Sequence, residues 1–171
     1  QREVIVSPLT NYNVTVFDQR FTQNSSVTFI NTNVTRNGSY RDANVTGLLF
    51  DLNNKTNKYN LEGALKSSSI RDVENSNGVN ASLFLAEKSG NFRHSIGAEY
   101  ISKDFDNNDL GINFKTNYYS VSGNSNYRIL NPNKTFNAFR INLNSYFEFY
   151  TPTNQIQSSN LNVNMSATTK K

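Results

Sequence analysis

The chain has no cysteine and no tryptophan, one histidine, one methionine and three prolines in 171 residues. Without cysteine there is neither a disulfide framework nor a thiolate metal site. His94 is the sole histidine, so a histidine-built metal centre or catalytic dyad lacks its second member. No run approaches the ~18–20 consecutive apolar residues of a membrane-crossing helix. Charge does not cluster either. The 17 basic and 13 acidic residues leave a net +4 scattered along the chain, not the basic stripe of a nucleic-acid binder. No signal-like segment follows Gln1, so an exported protein is read here as mature chain or internal piece.

Apolar residues are also scarce, at 36%, and mean hydropathy is -0.62. Disorder is the first reading of such numbers, but 9 Tyr and 12 Phe lie spread among β-branched residues, and disordered segments are poor in both. Low hydropathy, many aromatics and little charge suit strands with one apolar face. Asn is in excess, with 30 residues, although strands ordinarily disfavour it. A wetted strand face would accept it. Nine Asn-x-Ser/Thr patterns, Asn33-Val34-Thr35 and Asn44-Val45-Thr46 among them, are formal glycosylation acceptors. So much Asn beside Ser and Thr produces such patterns by chance, and they are given no weight.

Turn-rich breaks fall at Asn37-Gly38-Ser39, Asn53 to Asn57, Asn75-Ser76-Asn77-Gly78, Ser89-Gly90-Asn91, Asp106 to Asp109, Asn131-Pro132-Asn133 and Thr151 to Asn154. Between them residues alternate. Tyr59, Leu61, Gly63 and Leu65 oppose Lys58, Asn60, Glu62, Ala64 and Lys66. Phe92, Ile96, Ala98 and Tyr100 oppose Arg93, Ser95, Gly97 and Glu99. Leu110, Ile112, Phe114 and Tyr118 oppose Gly111, Asn113, Lys115 and Asn117. Over Ala138 to Tyr150, Phe139, Ile141, Leu143, Phe147 and Phe149 oppose Arg140, Asn142, Asn144 and Glu148. A period of two is a strand's, not a helix's.

The runs reach about ten residues, where soluble sandwich strands average five or six and bilayer-crossing strands need nine to eleven. Aromatics gather near run ends, at Tyr59, Phe92, Tyr100, Tyr118, Phe149 and Tyr150, as an interfacial girdle would. The expectation is an all-β, antiparallel transmembrane β-barrel of the bacterial outer membrane. These 171 residues form one piece of it, with about 8–10 strands. The lipid face is expected to carry Leu61, Leu65, Ile96, Tyr100, Ile112, Phe114, Phe139, Ile141, Leu143, Phe147 and Phe149. The lumen face is expected to carry Glu62, Lys66, Arg93, Glu99, Lys115, Arg140 and Glu148.

Three segments carry a family resemblance. Tyr100 to Gly111, with Ser102-Lys103-Asp104-Phe105 and then Asp109-Leu110-Gly111, leads on to Thr116-Asn117-Tyr118. Ser7 to Tyr12 and Arg41 to Leu52 are the others. Over roughly residues 5 to 165 the chain resembles the C-terminal outer-membrane barrel of Gram-negative proteins that carry a carbohydrate-binding-family-9-like domain. In that family the barrel is itself a domain of unknown function. The family usually has Gly-Lys-Asp-Phe where this chain has Ser102-Lys103-Asp104-Phe105. Its sugar-binding-like module has no counterpart in these residues and its barrel is longer, so the resemblance implies a slice cut at both ends. It supplies no catalytic residue.

Candidate chemistry is thin. Asp104, Asp106 and Asp109 with Asn107 and Asn108 offer hard oxygens for Ca²⁺, but EF-hand spacing is not met and a solvated turn is the plainer reading. Glu62, Glu99 and Glu148 could in principle supply a glycosidase-like carboxylate pair. Beside Lys66, Arg93, Lys115 and Arg140 they read instead as mixed lumen charge. His94 sits near a strand start among apolar positions. The expectation is a non-enzymatic barrel with no cofactor and no nucleic acid. Its partners would be outer-membrane lipid, further strands of its own barrel or other envelope proteins, and glycan in so far as the resemblance implies it. The alternative is a secreted β-rich adhesin or carbohydrate-binding module.

Overall fold

The computed structural model describes residues 7–21, 24–109 and 115–170. Nine strands follow in chain order: β1 (Thr10–Phe21), β2 (Ser25–Arg36), β3 (Asp42–Asn53), β4 (Tyr59–Arg71), β5 (Ser76–Glu87), β6 (Phe92–Ile101), β7 (Tyr118–Ile129), β8 (Phe136–Tyr150) and β9 (Gln155–Thr169). Each pairs antiparallel with its sequence neighbours, giving one sheet in the order β1 to β9. There is no helix among the described residues. The sheet is open: β1 and β9 are unpaired along their outer edges. The expected antiparallel strands are present, within the expected number, but as a single sheet that does not close on itself.

Turn chemistry accounts for some of the Asn. Asn57, Asn117 and Asn154 take φ of 53°, 64° and 55°, a left-handed conformation that Asn tolerates better than most residues. Asn54 Oδ1 accepts from the N–H groups of Lys58 and Tyr59, and Asn133 Oδ1 from those of Thr135 and Phe136. These side chains supply the acceptors that turn backbones lack.

Register aligns the two faces across the sheet. One row reads Phe17, Phe29, Leu48, Leu65, Ala81, Tyr100, Tyr119 and Phe149. Another reads Leu52, Leu61, Leu85, Ile96, Gly123, Ser145 and Leu161. This apolar face is exposed: Leu65 stands at 56%, Ile96 at 58% and Leu83 at 52%. The opposite face is polar yet more buried, with Asn60, Ser68, Asn80, Ser120, Asn126 and Glu148 all below 9%. In a single layer, side chains crowd together on the side toward which the sheet curls. The polar face is therefore the concave one.

A compact globule of 19.4 kDa exposes about 8,500 Å², whereas this chain exposes 12080 Å². The buried apolar cluster is small, consisting of Val34, Ala43 and Ile70, which share a row on the concave face of β2–β4. Among the described residues there is one sheet and no second layer packed against it.

Candidate functional site

The concave face carries the polar side chains, and the long β6–β7 link lies across one end of it. Phe105 in that link is 4% exposed and presses on Gly78 of β5 so closely that a Cβ there would collide with the Phe105 and Asp104 backbone. Next along the link, the Asp106 N–H donates to Ser68 Oγ at 3.0 Å, and Ser68 is fully buried. The link then reaches β2 and the β2–β3 turn. Arg36 Nη2 lies 2.5 Å from Asp109 Oδ1, and Arg41 Nη2 lies 2.8 Å from Asp106 Oδ2 and 3.1 Å from Asp109 Oδ2. Residues 102–109 thus form a strap running from β6 over β5 and β4 to β2.

The acidic turn considered above for Ca²⁺ is thereby ion-paired within the chain. Asp106 and Asp109 are engaged by two guanidinium groups, and Asp106 Oδ1 also accepts from the backbone and side chain of Asn108. Among the described residues no group of three or more metal-ligating side chains occurs.

The carboxylates singled out from the sequence do lie on the concave face. Glu99, Ser120 and Glu148 occupy one row, so the two glutamates stand two strand spacings apart, about 9–10 Å between backbones. Glu99 accepts from Asn80 Nδ2 at 3.2 Å and from Tyr118 Oη at 3.1 Å. Glu148 accepts from Tyr146 Oη at 2.9 Å and pairs with the Lys115 ammonium. Glu62 pairs with Lys88 on the turn before β6 at 3.1 Å. Each carboxylate is an acceptor in a local network, which suits fixing side chains in place. His94 lies near the start of β6 on the apolar face, its Nε2 2.9 Å from Glu87 Oε2, while Lys58 Nζ holds the other oxygen at 3.0 Å.

Toward the opposite end the concave face becomes an asparagine field. Asn124, Asn144 and Asn162 share one row, and Asn126, Asn142 and Asn164 the next. Asn124 Nδ2 donates to Asn144 Oδ1 at 2.6 Å, and Asn126 donates to Asn142. Arg93, Arg128 and Arg140 border this field, lining a cleft of about 570 Å³. The asparagine rows and Arg128 were not foreseen as a unit, because their alignment depends on cross-strand register.

Leu61, Leu65, Ile96, Tyr100, Phe139, Ile141, Leu143, Phe147 and Phe149 share the apolar face, and Glu62, Lys66, Arg93, Glu99, Arg140 and Glu148 the polar one. Ile112 and Phe114 lie outside the described residues. The first half of the strand expected from Leu110 to Tyr119 also lies outside the described residues; in its described part Lys115 to Asn117 precede β7, which begins at Tyr118. Tyr118 is on the polar face, bonded to Glu99, and its partner Tyr150 shares that face by register. Asn117, immediately before β7, is left-handed with φ of 64°.

At the strap end, the outward row Tyr100, Tyr119 and Phe149 includes a stacked pair, Tyr119 and Phe149, with centroids 4.9 Å apart. Phe92, Tyr127 and Phe139 stand toward the other end. A model for a domain of unknown function (DUF5916) matches residues 1–171. The chain belongs to that family. No curated protein matches it, and no solved structure does.

Proposed function

We propose that this DUF5916 chain forms part of a bacterial outer-membrane β-barrel, without enzymatic activity, whose convex face meets lipid and whose concave face lines the interior. The observation that carries this reading is an exposed apolar face on a sheet with no second layer to cover it. Monomeric soluble proteins rarely leave contiguous apolar patches beyond a few hundred Å², whereas acyl chains would cover such a face at no cost.

Dimensions favour the same reading. On β8 the outward apolar positions run from Phe139 to Phe149. Ten steps of about 3.4 Å, tilted by about 45°, project to about 24 Å, close to the ~25 Å apolar band of outer-membrane barrels. The aromatic rows near both ends of the sheet suit the two girdles of such a barrel. Beyond the strap-end row, β2–β4 continue with Asn31, Asn44 and Thr46 on the outer face, hydrogen-bonded to one another. Wetted strand extensions and the longest link at one end suit the outward-facing side.

The open edges imply further strands. β9 is a fifteen-residue edge strand without a charge or a proline, and lipid offers its unpaired N–H and C=O groups no partner. The resemblance to barrels of proteins with a carbohydrate-binding-family-9-like domain supports a role connected with glycan handling at the Gram-negative cell envelope. A secreted adhesin or carbohydrate-binding module would need its apolar face inside a core, and the single sheet supplies none. Purified protein should fold in detergent or vesicles, with β-sheet circular dichroism, and precipitate without them. A folded, monodisperse monomer in plain buffer would overturn the proposal.

A further inference from the structure

We infer that the basic cleft on the concave face of β6–β8 binds small polyhydroxylated anions, of the sugar-acid or sugar-phosphate class. Arg128 and Arg140 are direct register partners on neighbouring strands, and like charges placed opposite each other destabilise a sheet. Arg93 joins them through the row Arg93, Asn126 and Asn142. Among the described residues none of the three arginines is in an ion pair. The acid that lines the cleft, Glu87, is already held by Lys58 and His94. Arg128 Nε is buried and has no acceptor among the described residues, so a donor stands desolvated without its bond, a costly state.

Three cations held together against their repulsion, one with an unused donor, are arranged for an anion from solution. Guanidinium forks match the paired oxygens of a carboxylate or phosphate. The flanking Asn124, Asn126, Asn142 and Asn144 amides both donate and accept, as hydroxyl groups require. A cleft of about 570 Å³ lies in the usual size range for small-molecule sites. The inference goes beyond the membrane reading: it needs the concave face to be wet, whatever covers the convex face.

Calorimetric titration of the full-length protein, in whichever solvent keeps it folded, tests this with glucose 6-phosphate, glucuronate, inorganic phosphate and neutral glucose. Both sugar anions should bind, with affinity falling as salt rises, and glucose should bind at least about tenfold more weakly, as expected on losing charge-assisted hydrogen bonds. Inorganic phosphate should be weaker than glucose 6-phosphate, because it leaves part of the asparagine field empty. The double substitution Arg128→Gln and Arg140→Gln should weaken both sugar anions by about tenfold or more and raise Tm by relieving repulsion. Arg71→Gln, which removes a positive charge at the end of β4 where the strap lies, opposite the cleft, should change neither. Absence of anion binding, equal affinity for glucose, or an equal loss with Arg71→Gln would overturn the inference.

Discussion

The backbone of Phe105 occupies the space that any side chain larger than hydrogen at position 78 would need. This contact fixes the strap to β5 and leads to a first prediction. Gly78→Ala should lift the strap without dissolving the sheet, at a cost of about 1–3 kcal/mol for overpacking. Limited proteolysis reads the outcome: cleavage within residues 102–117 should accelerate while the strands stay intact. Unchanged cleavage would mean that the contact does not hold the strap.

A second prediction concerns the strap's far anchor. Asp109 is 9% exposed at its side chain and meets Arg36 and Arg41. Arg36→Met should leave that carboxylate short of a partner, costing about 1–3 kcal/mol, less than a fully buried pair because Arg36 keeps some solvent contact. In planar bilayers the same substitution should raise conductance if the concave face lines an open pore. Reconstituted channels compared before and after the change give the answer.

Face polarity supplies the third. Leu143 is 42% exposed on the convex face, and Asn144 beside it points to the concave face. Leu143→Lys should destabilise the vesicle-folded protein by about 2–4 kcal/mol, the cost of a cation near the bilayer midplane. Asn144→Lys should change stability little. Denaturant unfolding from vesicles would show the asymmetry. A soluble protein with both sides in water would show none.

The open edges give a fourth. If further strands close the sheet, alternate amides of β9 that point away from β8 should exchange as slowly as those bonded to it. Hydrogen exchange on full-length protein in micelles reads this directly. Rapid exchange at every second residue from 159 to 167, whose amides face away from β8, would mean that the edge stays bare.

How far the sequence reaches depends on what each feature requires. The alternation in β4, β6 and β8 is visible because a strand fixes side-chain direction every two residues, so parity alone sorts Phe139, Ile141 and Leu143 from Arg140 and Asn142. The break expected at Asn75-Ser76-Asn77-Gly78 lies slightly too late. The turn occupies residues 72–75, and Ser76 opens β5, where Gly78 serves a close approach rather than a turn. The break between β1 and β2 passes unnoticed because Thr22, Gln23 and Asn24 include neither Gly nor Pro. The strap is illegible for a different reason. Asp106 and Asp109 find Arg41 and Arg36 more than sixty residues earlier, and no local pattern encodes such a distance. Asparagine abundance is plain in the composition, but its ordering into rows appears only once β7, β8 and β9 are aligned.

Strand order carries a last consequence. Because every strand bonds to its neighbours in sequence, each hairpin can zip onto the one before it with short loop closures, the kind of topology that assembles quickly. The strap alone, among the described contacts, ties together parts of the chain made far apart in time. It is therefore expected to dock after β2 through β6 have registered, so that a nascent chain interrupted before residue 109 would present its first six strands with their clasp still unlatched.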